Sequence, residues 1–264
     1  MRTKPYFETE NGVLYHGDCL NIIPELEPVD LVLTDPPYGT TACKWDSIIP
    51  LEPMWEGLKR VIKPNGAIVM TAAQPFTTTL ISSNTKMFKY CWVWDKKLSG
   101  GFAQAKNMPL KCHEDVVIFS NGATIHKNQS NRRMPYNPQG LKRIDKIAKN
   151  KPRHSQESAF GNRPSHKDEY VQEYTNYPKS ILIISAIRGV HPTQKPVALM
   201  EYLIKTYTNE GETVLDFAAG SGTTAIASEL NNRKWILIEK EEEFCEITVK
   251  RIEKETRQMK IPGC

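Results

Sequence analysis

Short apolar runs alternate with amphipathic segments over residues 12–84, and the alternation, after a long break, resumes over residues 195–258. In the first block "GVLYHGD", "VDLVLTD" and "GAIVMTA" read as strands, while "CLNIIPEL", "PLEPMWEGLKRVI" and "PFTTTLISSN" read as helices. The second block opens with a helix, "KPVALMEYLIKTYT", started by a proline. The strand "ETVLDFAAG", the helix "GTTAIASELN", the strand "KWILIEK" and the closing helix "EEFCEITVKRIEKETRQ" follow. Strands apolar on both faces and separated by helices predict an α/β fold whose parallel sheet is covered on both sides. "YCWVWDK" (90–96) and "EDVVIFSN" (114–121) have no helix between them and are expected to pair antiparallel at one edge. Trp92 and Trp94, spaced as in a strand, are read as packing residues.

The break has a composition of its own. Pro, Asn, Gln, Ser, Lys and Arg dominate "KNQSNRRMPYNPQG" and "NKPRHSQESAFGNRPSHKDEY", and a stretch this long without periodicity signals a functional insertion. Residues 121–190 hold 13 Lys and Arg against 5 Asp and Glu, a charge of +8, while the other residues hold 22 against 25, a charge of −3. The expectation is one domain, 1–264, carrying an inserted basic target-recognition region at 122–188 whose charge suits a phosphate backbone. Arg132, Arg133, Lys142, Arg143 and, on the preceding strand, His113 are the candidate nucleic-acid contacts.

Other classes recede. The 264 residues, 39% of them hydrophobic, suffice for a core without disulfides. No apolar run reaches the length of a membrane span, the longest, "ILIISAI" at 181–187, suiting a strand. The polar start "MRTKPYFETENG" lacks the pattern of a signal peptide, and a cytoplasmic protein is expected. The six cysteines lack the paired short spacing of zinc or redox motifs, so reduced thiols and no metal are expected.

Two strand ends carry chemistry. In "VLDFAAGSGTTAIA", Gly220 and Gly222 occupy a strand-to-helix turn, which lets a ligand approach the backbone and the free N–H groups of the following helix. A lone G-x-G fits an ordinary tight connection equally well. Glu239, at the tip of "WILIEK", adds an acceptor placed as for a ribose diol. Asp216 just before the turn would repel phosphate and attract a cation, which favours a zwitterion such as S-adenosylmethionine over NAD. At the other strand end, "TDPPYG", Pro36 and Pro37 stiffen the chain and remove N–H donors. The Asp35 carboxylate and Pro36 carbonyl are then acceptors for an aromatic amine, with Tyr38 to stack on it. A plain Pro-Pro turn accounts for the prolines but not for the aspartate and tyrosine.

These motifs together resemble the S-adenosylmethionine-dependent DNA amino-methyltransferases. "TDPPYG" is similar to their catalytic motif and "LDFAAGSGTT" to their cofactor motif. "GDCL", "LKRVIKPNGAIVM", "HEDVVIFSN" and "HPTQKPVALMEYLI" match further blocks in the same order, that of the beta group. The resemblance spans nearly everything but 122–188. It departs where Phe217 and Ala218 stand in place of the proline and phenylalanine of D-P-F-x-G-S-G.

The resemblance implies a seven-stranded, mostly parallel, Rossmann-like methyltransferase sheet, with the strands ending at Asp35 and Asp216 adjacent. It implies methyl transfer from S-adenosylmethionine, leaving S-adenosylhomocysteine, to a base flipped out of double-stranded DNA, with Asp35, Pro36, Pro37 and Tyr38 at the reacting amine. Asp18 would serve the adenine, Glu239 the ribose, and Asp216 and Lys195 the methionine end, with Phe217, Ala218, Gly220, Ser221, Gly222 and Thr223 forming the cofactor turn. Aspartate before Pro-Pro-Tyr favours adenine N6, with cytosine N4 the alternative. His191 reads as a turn residue. A homodimer and a cognate restriction endonuclease are compatible partners. The rival from another class is a nicotinamide-dependent oxidoreductase, disfavoured by the missing third glycine and by Asp216.

Overall fold

The computed structural model describes residues 3–41, 43, 46–124, 132–149, 169–187 and 194–259. His191 lies outside them, as does much of the basic stretch. The strands are β1 (Phe7–Glu8), β2 (Gly12–His16), β3 (Val29–Thr34), β4 (Ile62–Ala72), β5 (Phe88–Gly100), β6 (Lys111–Ser120), β7 (Lys142–Lys149), β8 (Glu169–Thr175), β9 (Ile181–Ile183), β10 (Thr213–Asp216) and β11 (Lys234–Glu239). The helices are α1 (Cys19–Ile22), α2 (Leu51–Val61), α3 (Phe76–Ser83), α4 (Val197–Tyr207), α5 (Thr223–Glu229) and α6 (Glu242–Met259), with single 3-10 turns at Ile23–Glu25 and Phe102–Gln104.

One sheet runs β1-β2-β11-β10-β3-β4-β6-β5-β9. It has nine strands where seven were expected, because two short edge strands flank the seven: β1 pairs antiparallel with β2, and β9 parallel with β5. β2, β11, β10, β3 and β4 are parallel, and β6 runs antiparallel to both β4 and β5.

The core follows the period-2 alternation of buried strands. On β3, Leu31 and Leu33 face one side, while Val32 faces the other; on β4, Ala67 and Val69 are set against Ile68 and Met70 in the same way. The first side packs on α4 through Leu199, Leu203, Ile204 and Tyr207, the second on α2 and α3 through Met54, Trp55, Leu58, Phe76 and Leu80. A third cluster, with Leu14, Trp235, Leu237, Cys245 and Ile252, seats α6. Trp92 and Trp94 are buried, their indole N–H groups donating to Tyr207 Oη at 2.7 Å and to the Ile184 carbonyl at 2.8 Å. Among the described residues no helix is long and apolar enough to cross a membrane.

The chain divides into two compact units, residues 3–137 with 180–259 of those described, and Pro138–Lys179. The second is narrower than the 122–188 expected from composition. Ala123 bridges to Arg133, and β9 is annexed by β5, because "ILI" is an apolar strand whatever its basic neighbours. Nor is the smaller unit without regular structure: β7 and β8 form an antiparallel ribbon with Ile147 opposite Val171 and Lys146 opposite Gln172.

Candidate active site

Parallel pairing of β3 with β10, Leu31 beside Val214 and Val32 beside Leu215, brings Asp35 and Asp216 to the same end of adjacent strands. β11 lies on the far side of β10 and delivers Glu239 to that end. A cleft of about 720 Å³ opens there, lined by Asp18, Asp35, Tyr38, Glu114, Lys195, Gly220 and Glu239 among others.

Asp35 sits just beyond the last residue of β3. Its Oδ1 accepts the Tyr38 hydroxyl at 2.7 Å and the Thr71 hydroxyl from the end of β4; its Oδ2 accepts Lys195 Nζ at 2.6 Å. Lys195, only 7% exposed, also pairs with Glu114 Oε2 at 3.3 Å, and Lys96 pairs with Glu114 Oε1 at 3.1 Å. Burial by itself would lower the Lys195 pKa, but Asp35 and Glu114 outweigh it and leave it raised, so the ammonium is held charged. Burial, then the charges of Asp35 and Glu114, push the Tyr38 phenol well up, which keeps it a proton donor. The Tyr38 ring stacks on Phe76 at 5.4 Å, with Lys195 Nζ 5.6 Å from its centroid. Pro36 is buried, and its carbonyl accepts no hydrogen bond among the described residues. The loop after Tyr38 is pinned by Asp46, which accepts the N–H groups of Gly39, Thr40 and Thr41 at 2.8, 2.9 and 2.7 Å.

The cofactor-motif residues divide by task. Asp216 accepts Thr34 Oγ1 at 2.7 Å and the Ala218 N–H at 3.1 Å on Oδ1, and Thr224 Oγ1 at 2.6 Å on Oδ2. Burial raises its pKa from 3.8 to about 6 against the pull of those donors. Both oxygens are engaged, so Asp216 braces the ends of β3 and β10 and the start of α5. Glu239 accepts the Gly220 N–H at 2.7 Å on Oε2 and the Glu241 N–H at 2.9 Å on Oε1, and burial raises its pKa. Gly220 (φ +53°) has open space where a Cβ would stand. Gly222 (φ +75°) would put a Cβ 2.6 Å from the Thr248 side chain, so its smallness serves helix packing rather than ligand approach. Ser221 and Thr223 also turn toward α6, where Arg251 reaches their side-chain oxygens at 2.8 and 3.3 Å. Phe217 joins the core. Asp18 caps α1 through the Leu20 N–H at 2.9 Å, with Lys240 Nζ 3.8 Å from its other oxygen.

Lys195, which lines the cleft as Asp216 does, stands on Asp35. Its neighbour Gln194 has a buried side-chain oxygen with no partner among the described residues, and both line the cleft. Thr34 and Gln194 stand inside "TDPPYG" and "HPTQKPVALMEYLI" but carry no charge or ring that would single them out, and Thr71 is an isolated hydroxyl in a strand. His113 and Glu114 read from sequence as a pair that either touches the target pocket or caps a strand; Glu114 lines the cleft, and His113 is exposed on β6. Arg132 and Arg133 are exposed on the larger unit, apart from the cleft lining; Lys142 and Arg143 are exposed on β7 of the smaller one, with Arg143 bonded to Asp145 at 2.7 Å.

The profile of the N6/N4 DNA methylases matches residues 29–250. The chain is 26% identical to the type II methyltransferase M2.LlaDCHI of Lactococcus lactis subsp. cremoris, over 96% of this chain and 94% of that one. It is also 26% identical to the DNA adenine methyltransferase YhdJ of Escherichia coli, over 94% and 84%. The solved complex of M1.HpyAVI with SAM shares the fold, with a TM-score of 0.59 and 23% identity over 90% of this chain and 98% of that one.

Proposed function

The chain belongs to the N6/N4 DNA methylases, S-adenosylmethionine-dependent amino-methyltransferases, and on that premise we propose that it methylates the exocyclic N6 amine of an adenine flipped out of double-stranded DNA. The observation that carries the reading is the register of β3 and β10, which opens Asp35 and the Gly220 turn onto one cleft. Ligands of open α/β sheets bind at such carboxyl strand ends. Asp35 before Pro-Pro-Tyr and the likeness to a named adenine enzyme favour adenine over the N4 amine of cytosine.

The residues present fit S-adenosylmethionine. The unpartnered Gln194 oxygen is an acceptor awaiting an N–H donor, such as an amino-acid ammonium. Each Glu239 oxygen accepts one N–H and retains lone-pair capacity for a ribose hydroxyl, and Gly220 leaves the turn open. Asp18, at the next strand end, serves the adenine side. Bound there, the cofactor supplies an electrophilic methyl group on a sulfonium.

The protein's own part is acceptance and positioning. A carboxylate has about four lone-pair sites. Tyr38, Thr71 and Lys195 take three on Asp35, leaving one on Oδ2 for an amine hydrogen. The Pro36 carbonyl takes the other hydrogen. Two acceptors draw the amine from conjugation with its ring and offset the positive charge that grows on nitrogen as it is alkylated. Lys195 and Thr71 fix the carboxylate so that this costs no reorganisation. Tyr38, stacked on Phe76 and with Lys195 Nζ over its ring, lines the cleft that the base would enter. Arg132, Arg133, Lys142, Arg143 and His113 are assigned to the DNA backbone.

The test is incubation with labelled S-adenosylmethionine and duplex DNA, followed by nucleoside analysis. N6-methyladenine is expected. N4-methylcytosine would overturn the base assignment, and label in neither would overturn the reading.

A further inference from the structure

Between β5 and β6 the two strands extend as an arm over residues 94–113 that the catalytic reading leaves unused. Trp94, Lys96 and Leu98 of β5 line the cleft, as do Lys111 and Glu114 on β6. The tip lies beyond them. It is internally bonded: the N–H groups of Gln104, Ala105, Asn107 and Met108 donate to the carbonyls of Gly101, Phe102, Gln104 and Gln104 at 2.9, 3.2, 2.8 and 3.1 Å. A tip so fixed nevertheless exposes large apolar side chains, Phe102 at 69%, Met108 at 55% and Leu98 at 46%. Phe102 is four residues past Leu98, at most about 14 Å of chain from the cleft wall.

The charge around those side chains indicates what covers them. The arm carries Lys96, Lys97, Lys106 and Lys111 against one acid, Asp95, whose carboxylate accepts the Lys97 N–H at 2.9 Å. Lys97, Lys106, Lys111 and His113 are exposed. An exposed apolar ring at the tip of a lysine-rich arm whose base lines the cleft complements a nucleic-acid duplex: cations for phosphates, a flat ring for a base step.

We propose that the β5–β6 arm is a second DNA-contacting element, in which Lys97 and Lys106 grip backbone phosphates while Phe102 wedges into the helix beside the target base and occupies the stack that base vacates. The inference rests on the methyltransferase reading for the flipped base, and on the arm alone for the phosphate contacts. Flipping costs unpairing and unstacking; an inserted aromatic restores part of the stacking and holds the pair open.

Two measurements test it separately. The first is the affinity for a random-sequence duplex across a salt series. Replacing Lys97→Ala and Lys106→Ala together lowers the slope of log affinity against log salt by about 1.8, some 0.9 per phosphate. The second uses the site that the wild-type enzyme methylates in phage DNA, offered with the target paired or opposite an abasic position. Phe102→Ala loses on the order of tenfold in transfer to the paired site and recovers on the abasic one, where no partner need be displaced. Unchanged slopes overturn the grip, and equal rates of Phe102→Ala and wild type on paired DNA overturn the wedge. Phe102→Ala converting a dimer to a monomer, with DNA affinity intact, also overturns the proposal, because a second copy would then cover the tip. A wild-type protein that binds duplex through the arm yet transfers no methyl group refutes the enzymatic reading and leaves the grip standing.

Discussion

Replacing Asp216 with asparagine should flatten part of the protein's pH dependence, by an amount the structure sets. The carboxyl is buried, and its pKa rises from 3.8 to about 6, burial outweighing the three donors that face it. The unfolded chain therefore releases this proton near 3.8, while the folded one keeps it to about 6. In between, the folded state binds more protons, so its stability is full below 3.8 and declines as pH climbs through 6. The displacement is worth about 3 kcal/mol. Asp216→Asn has no such proton. Its Oδ1 still accepts from Thr34 and Ala218, and the Thr224 hydroxyl turns to accept from the new NH₂. Urea unfolding of both proteins from about pH 4 to about pH 7 isolates Asp216 together with its coupling to Asp35 and Glu239, since the titrations of the more distant groups cancel in the difference. The stability of Asp216→Asn relative to wild type should rise by about 3 kcal/mol across the window. Parallel curves would refute a buried, ionising Asp216.

Three further outcomes are expected. Asp35→Ala lowers methyl transfer on the order of a hundred- to a thousandfold while duplex affinity, read by anisotropy, holds; retained turnover would remove Asp35 from the reacting amine. Gly222→Ala destabilises the fold by about 1–3 kcal/mol in chemical unfolding, since its Cβ meets Thr248 at a positive φ, whereas Gly220→Ala, with open space around it, carries only the backbone strain of its positive φ, about 1 kcal/mol, and lowers cofactor affinity by calorimetry. Neutralising Arg132 and Arg133 lowers the salt slope of duplex binding by up to about 1.8, and an unchanged slope would take them off the phosphates.

The alternation of strands and helices, the antiparallel β5–β6 pair and both strand-end motifs were legible in the chain because each is local. A buried strand shows its two apolar faces at period 2, and a Pro-Pro corner or G-x-G turn declares its backbone without reference to any partner. "ILIISAI" at 181–187 reads as a strand for the same reason, and only Ile181–Ile183 of it forms β9. The ribbon of β7 and β8 was not legible: its strands, "KRIDKIAK" and "EYVQEYT", are mostly polar and exposed, and only their pairing makes them strands.

The arrangement of the cleft belongs to tertiary structure. Sequence determined which residue types stand at which strand ends; it could not determine that Lys195, 160 residues away, closes on Asp35, or that Glu114 holds it there. Nor could it tell two glycines of one turn apart, since Gly220 faces open space and Gly222 faces Thr248 only once α6 has docked. Motifs record what the backbone can do within a few residues, whereas ion pairs, burial and close approach depend on what register and packing bring from afar.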